Sequence, residues 1–292
     1  MYDICSIGHI TRDKIVTPEK TVYMAGGTSF YMSRGISSLP SKVGFQLVTK
    51  VGDDQKPEVD KIAALGIDTV CYPSRHTVFF ENRYGTDSNN RTQRVLAKAD
   101  PFTIADVEPL EAKVFHLGSL LADDFSPEVV EYLATKGDVS IDVQGYLREV
   151  VGEEVHPTEF RDKERILSCT SILKLNEHEM DVIAEHNDPK FVARRLSDYG
   201  VREVVITLGS YGSVIYAGGK FYEIPAYKPR KVVDTTGCGD TYSTGYLYSR
   251  ALGAGIEDAG KYAAAMCTLK LEHSGPFDKT EADILRVIDG GC

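Results

Sequence analysis

The sequence predicts an α/β fold: a largely parallel central sheet flanked by helices, with a small β lid standing off it. Three observations carry that reading. Short β-branched apolar runs alternate with helix-length amphipathic segments, which is the rhythm of strands joined by crossover helices. The stretch Thr77–Leu96 breaks the rhythm and reads as strand, polar turn, strand, a hairpin rather than a crossover unit. No internal repeat, low-complexity tract or linker divides the 292 residues, so 1–292 reads as one domain with lid segments at about 14–24 and 77–96.

The strands expected in the central sheet are Asp3–Ile7, Gly44–Val48, Val114–Leu117, Val139–Val143, Ile172–Leu175, Glu203–Thr207 and Ser213–Tyr216. Each is a short apolar run of the kind buried on both faces. Helices are expected near Ser29–Ser38, Pro57–Leu65, Pro127–Lys136, Glu177–Glu185, Pro189–Tyr199, Asp240–Leu252 and Ile256–Leu269, with Gly66, Gly200 and Gly253 as stops. Lys14–Met24 is also β-like and is expected to join the hairpin in the lid.

Composition excludes several classes of function. A formal net charge of −10 repels polyphosphate surfaces, which argues against nucleic acid or an anionic membrane as partner. No run approaches the roughly 18 apolar residues of a membrane span. The six cysteines are scattered without metal spacing, which suits a reducing compartment and leads to the expectation of a cytoplasmic protein.

The segment Val233-Asp234-Thr235-Thr236-Gly237-Cys238-Gly239-Asp240-Thr241 carries the chemistry. Two glycines flank one small residue just before a helix, so backbone N–H groups can turn toward one point and make an anion hole. Asp240 at the helix start is either a simple helix cap or a general base for an attacking hydroxyl.

Asp-Thr-Thr-Gly-Cys-Gly-Asp resembles the C-terminal signature of the ribokinase-like (PfkB) carbohydrate kinases. Further matches follow in order. Gly8–Asp13 resembles the family's first strand end, Gly26-Gly27 its diglycine, Asn176–Glu179 its N-x-x-E motif and Thr207–Gly212 its nucleotide-binding turn. The resemblance covers nearly the whole chain. It implies a Rossmann-like ribokinase fold whose β lid closes over the acceptor, and it implies ATP and Mg²⁺ as cofactors. In that reading Asp240 is the base, and Gly237, Cys238 and Gly239 form the anion hole. Asn176 and Glu179 organise Mg²⁺ through water, and Thr207, Gly209 and Gly212 lie along the nucleotide. Family members often bind a monovalent cation beside the anion hole. That makes K⁺ a further candidate, with Asp234 and Glu272–Gly275 as its site.

Candidates for the acceptor are Asp13, Gly26, Gly27, Asn82, Arg91, Asp142 and Gln144, with Arg148 beside them. A carboxylate such as Asp13 accepts from two vicinal hydroxyls, and ligands of open α/β sheets collect at the C-terminal ends of strands. Two departures from the family pattern matter. Tyr31 stands where an acceptor-contacting asparagine is common, and the short stretch between Asp13 and Gly26 leads to the expectation of a reduced lid, leaving monomer and homodimer both open. Cys238, at an electropositive helix start, is expected to be a modestly reactive thiol. Phe80–Tyr84 and Asp142–Arg148 resemble the branch containing plant-type myo-inositol kinases, which points to a cyclic polyol or simple sugar. A nucleoside acceptor, with Tyr31, Phe79, Phe80 or Tyr84 stacking on a base, is the enzymatic rival. A non-catalytic binder on the same fold is the rival from another class.

Overall fold

The computed structural model describes residues 1–84 and 91–290, apart from the side chains of Tyr84 and Arg91. The turn expected over Gly85–Asn90 and the thiol of Cys292 lie outside the described residues. In chain order the elements are β1 (Tyr2–Ile7), β2 (Thr11–Val16), β3 (Thr21–Gly26), α1 (Thr28–Ser37), β4 (Phe45–Val51), α2 (Lys56–Ala63) and β5 (Asp68–Pro73). Next come β6 (Phe79–Tyr84), β7 (Arg91–Ala97), the short α3 (Ile104–Val107), β8 (Ala112–Leu117), α4 (Pro127–Ala134) and β9 (Asp138–Asp142). The third group is β10 (Arg148–Val151), β11 (Glu154–Pro157), α5 (Lys163–Ser168), β12 (Ile172–Asn176), α6 (Glu177–Ala184) and α7 (Pro189–Ser197). The chain ends with β13 (Glu203–Thr207), β14 (Ser213–Ala217), β15 (Lys220–Ile224), α8 (Cys238–Ala251), α9 (Ile256–Leu271) and α10 (Glu281–Ile288).

The central sheet has nine strands in the order β15-β14-β13-β12-β9-β8-β1-β4-β5, parallel throughout except for the β13-β14-β15 meander. Every strand expected from the sequence is present. The unexpected members, β5 and β15, are the two edges. All their side chains but Ile224 are partly buried or exposed, so they lack the continuous apolar run that marks the interior strands. One apolar cluster, including Val130, Leu133, Ile183 and Val192, fills one face beneath α4–α7. A second, including Met32, Ile62, Tyr246, Ala263 and Met266, fills the other beneath α1, α2 and α8–α10. Among the described residues no helix is long and apolar enough to cross a membrane.

The second sheet has six strands in the order β10-β11-β7-β6-β2-β3. The expectation of a reduced lid fails for a local reason. The short stretch from Asp13 to Gly26 is a tight hairpin, closed where Thr17 N–H donates to the Lys20 carbonyl at 2.9 Å, and not a missing strand. The pair β10–β11 adds to the opposite edge through Glu154 and Arg94. Its sequence, Arg148–Pro157, is polar enough to read as loop. Register puts Asp13, Ile15, Phe80 and Asn82 on one face, where Phe80 and Val95 pack with Val78, Leu120 and Leu121. On the other face buried Glu81 bonds Lys14 and Arg83, both at 2.7 Å, and these hydrogen bonds hold its carboxyl down at about 2.

Candidate active site

Three parallel strands deliver their C-terminal ends side by side. Asp142 on β9 is level with Lys174 on β12, and Asn176 at the end of β12 is level with Thr207 at the end of β13. Asp142 is buried and its Oδ2 accepts from Lys174 Nζ at 2.8 Å, while its Oδ1 accepts from Gln144 N–H at 3.3 Å. The Asp142 carboxylate, a candidate for the acceptor, thus also pairs with a lysine.

Asn176 and Glu179 form a reciprocal cap on α6. Asn176 Oδ1 accepts the N–H groups of His178 and Glu179 at 2.9 and 3.0 Å, and Glu179 Oε2 accepts Asn176 N–H at 2.9 Å. Capping does not exhaust Glu179. The side chain is buried rather than solvated, and burial together with the Asp142 charge pushes its pKa up. A buried carboxylate with a second oxygen beyond its capping bond fits a hydrated divalent cation at this edge.

Thr207 gives its hydroxyl to the Leu175 carbonyl at 3.4 Å, and the turn beyond it closes where Leu208 N–H donates to the Gly212 carbonyl at 2.8 Å. Gly209 in this turn lies against Glu177, its bare Cα leaving 3.2 Å between an ideal Cβ position and Oε1.

The Gly-rich segment opens α8 two residues earlier than the sequence pattern suggested, at Cys238, so that Gly237 is the cap with φ 75° and ψ 10°. That left-handed conformation suits glycine, and the ring of Tyr31 sits where a side chain would go, 2.5 Å from an ideal Cβ. An ideal Cβ on Gly239 would lie 2.6 Å from Lys174 Nζ, so the ammonium stands directly under the first turn. This turn leaves backbone N–H groups without intrahelical acceptors, the ordinary condition of a helix start. Asp240 lies in it, half-buried. Burial and the Asp142 charge push its carboxyl up to about 6, against the pull of the Lys174 charge, of a hydrogen bond from Thr28 and of the Arg148 charge. A carboxylate with that pKa is ionised at neutral pH and a better proton acceptor than an ordinary aspartate.

Asp13 Oδ1 accepts the Thr11 hydroxyl at 2.6 Å, and its Oδ2 lies against the bare face of Gly26. Gly27, with φ 92°, caps α1 and passes close to the His9 carbonyl. Tyr31 is 3 % exposed, its hydroxyl has no partner among the described residues, and burial followed by the charges of Asp240 and Asp13 raises its pKa. Asn82 shares the Asp13 face of the second sheet and accepts from Gln93 at 2.9 Å. The Arg91 side chain is outside the described residues.

Two expectations need correction. Cys238 is not an activated thiol: burial pushes it up to about 11, outweighing the nearby Lys270 charge. Nor do the residues at Asp234 fit a monovalent cation. Lys270 Nζ stands 3.0 Å from the Asp234 carbonyl oxygen and 3.3 Å from its Oδ2, and Gly275 N–H adds a contact to Oδ2 at 3.4 Å. The neighbouring Leu271 carbonyl is taken by Val233 N–H at 2.8 Å, and the Pro276 carbonyl faces His273 Nε2 at 3.1 Å.

Sequence reading missed Lys174, Lys270 and Thr28. The two lysines had a signal, since each interrupts an apolar run, Ile172–Leu175 and Ala263–Leu271, where a lysine is rarely buried without a partner. Thr28 had none, because its partner Asp240 is more than 200 residues away along the chain.

Comparison with known proteins agrees with this architecture. The pfkB family carbohydrate kinase profile matches residues 1–283. A cytidine kinase from Thermococcus kodakarensis is 31% identical over 282 residues, covering 88% of this chain and 92% of that protein. A pyrophosphate-dependent kinase of the ribokinase family, solved with sulfate, superposes with a TM-score of 0.84 at 26% identity, covering 97% of this chain and 99% of its own. A structure of a pyrophosphate-dependent kinase in that family with a pyrophosphate analog and myo-inositol gives 0.83 at 26% identity, covering 94% and 97%. With its ribokinase-type sheet and a match along almost its full length, the chain belongs to the pfkB family of carbohydrate kinases.

Proposed function

We propose that the protein transfers the γ-phosphoryl group of MgATP to a hydroxyl of a small sugar or cyclic polyol, with Asp240 as general base. One observation carries the reading: a carboxylate tuned to about 6 sits in the first turn of a helix that opens on a left-handed glycine, where backbone N–H groups lack intrahelical acceptors. Asp240 takes the proton of the acceptor hydroxyl as its oxygen bonds the γ-phosphorus, and the bond from that phosphorus to the ADP oxygen breaks in line. Backbone N–H groups around Gly237–Gly239 hold the charge that develops on the transferring group. Glu179 and Asn176 would hold Mg²⁺ through water; bound there, Mg²⁺ neutralises charge on the donor phosphates. Thr207, Gly209 and Gly212 would line the donor. Asp13, the Gly26-Gly27 backbone, Asn82 and Gln144 would surround the acceptor under the second sheet acting as lid.

Lys174 would act on this base from below. Its ammonium holds the Asp240 pKa down while Asp142 pushes it up. Lys174→Met is therefore expected to move the acidic limb of kcat/KM to higher pH by about one unit, the usual effect of removing an opposite charge. The sign follows from the base role, since turnover needs the ionised carboxylate and is lost as pH falls through its pKa. Adding Asp142→Asn removes the opposing push and returns the limb toward its original place. A pH–rate profile that ignores both substitutions would separate Asp240 from the base role.

A cyclic polyol is preferred to a nucleoside because the described aromatic rings are committed elsewhere. Phe80 is packed in the cluster with Val78 and Val95, Phe79 lies under the Arg12 guanidinium on the opposite face, and the Tyr31 ring fills the space beside Gly237. The myo-inositol-bound relative supports the same choice. The cytidine kinase relative supports the nucleoside alternative. The two pyrophosphate-dependent relatives make the donor a second question. The test is product formation, read by mass spectrometry, with ATP or pyrophosphate and Mg²⁺ against myo-inositol, fructose, ribose, cytidine and adenosine. A phosphorylated polyol or sugar with ATP is expected. A phosphorylated nucleoside would replace the acceptor assignment, and turnover with pyrophosphate alone would replace the donor.

A further inference from the structure

The side chain of Lys270 is fully buried, and its ammonium pairs with Asp234 alone among the contacts that the structure gives it. It lies on two oxygens of a single residue, the carbonyl at 3.0 Å and the carboxylate Oδ2 at 3.3 Å of Asp234, the first residue of the phosphoryl-binding segment. Carbonyl and carboxylate oxygens are ligands that an alkali cation also takes, and an ammonium matches K⁺ closely in charge and size. We infer that Lys270 is a resident cation: its ammonium supplies from within the chain the charge that a bound monovalent ion would supply, and holds the Asp234–Asp240 turn in its working shape.

Three further observations support this. Asp234 is locked from both sides, because its Oδ1 accepts Thr236 N–H at 2.9 Å while Oδ2 faces Lys270. Burial alone would raise the Asp234 carboxyl, but the Thr236 hydrogen bonds and the Lys270 charge bring it below its ordinary value, so the turn begins on a fixed anion. Lys270 also comes from α9, which packs along α8, so the turn that precedes Asp240 is tied to the helix that supports α8. Finally, the neighbouring Leu271 carbonyl accepts both Val233 N–H at 2.8 Å and Asp234 N–H at 3.4 Å, so its two lone pairs are already used within the chain. A buried ammonium costs much of its hydration, and its retention next to the anion hole is explained if its charge faces the transferring phosphoryl group as well as Asp234.

The inference rests on reading residues 237–240 as the phosphoryl site, but one of its measurements does not. In choline, sodium and potassium chloride at equal ionic strength, wild-type turnover is expected to agree within about twofold. Lys270→Ala opens the space of the ammonium, and its turnover is expected to fall tenfold or more in choline chloride and to recover severalfold with K⁺ or methylammonium. Its Tm, read without substrate, is expected to rise with those two cations and not with choline; this readout stands even if the acceptor or the chemistry is wrongly assigned. A wild-type enzyme activated tenfold or more by K⁺ would overturn the inference. So would a Lys270→Ala protein whose Tm and turnover ignore the choice of cation. Should Lys270→Ala fail to fold, the neutral pair Lys270→Met with Asp234→Asn takes its place. A folded pair turning over at the wild-type rate overturns the organising role, and a tenfold loss in that pair supports it.

Discussion

Asp240→Asn is expected to lower kcat by at least ~10² while leaving donor affinity near that of the wild type. The amide keeps the size of the carboxylate and can keep its bond to Thr28, so the first turn of α8 is preserved. It cannot accept a proton, and the acceptor hydroxyl must then attack without a base. Loss of one negative charge beside the donor phosphates removes repulsion, which is why weaker donor binding is not expected. The same substitution carries a thermodynamic signature of opposite sign. The folded protein raises the Asp240 pKa from its ordinary value to about 6, so the ionised group destabilises the native state above that pH. Asp240→Asn should therefore raise Tm at pH 7 and above, and the gain should vanish below about pH 4, where the carboxyl is protonated folded or unfolded. A variant with lower turnover and a higher Tm marks a group held in a costly state for chemistry. Turnover at the wild-type rate would take Asp240 out of the base role whatever its Tm.

How much of this was legible in the sequence depends on the range over which each feature is encoded. The seven interior strands were readable because each is an apolar run set by burial on both faces. The order of motifs was readable because Asn176, Thr207 and Gly237 each end or begin an element within a few residues of their own signal. What escaped is nonlocal. The edge strands β5 and β15 and the pair β10–β11 take their state from a neighbour's hydrogen bonds, and polar alternation alone does not mark them off from loop. The charges beneath the site escaped for the same reason. Lys174 matters because β9 places Asp142 level with it, and Lys270 because α9 delivers it to a turn 36 residues upstream. The error at Cys238 has a related origin. A helix start does favour a thiolate, but the packing that buries this thiol comes from other elements and outweighs it.

Gly237→Ala is expected to cost more than a methyl group in a loop normally would, because two independent constraints meet at that position. The backbone is left-handed, with φ 75°, which disfavours an alanine by roughly 1–2 kcal/mol. The added Cβ would also lie 2.5 Å from two ring carbons of Tyr31, and that ring has nowhere to go: it is buried and meets Phe30 edge-on at 5.4 Å between centroids. Relief must come from rotating the peptides around Gly237, the N–H groups proposed to face the phosphoryl group. Misaiming such donors typically lowers kcat by ~10²–10³, a larger effect than the strain would have on folding. The expected result is thus a folded protein with a Tm lower by several degrees and a kcat reduced by at least ~10². Adding Tyr31→Ala separates the two constraints, since it removes the clash and leaves the φ penalty. Partial recovery of kcat in the double variant would assign the loss to displacement by the ring, and no recovery would assign it to the left-handed backbone. If Gly237→Ala alone kept kcat within about threefold of wild type, the turn would not be aimed at the transferring group, and the anion hole would have to be sought elsewhere along the C-terminal edge of the sheet.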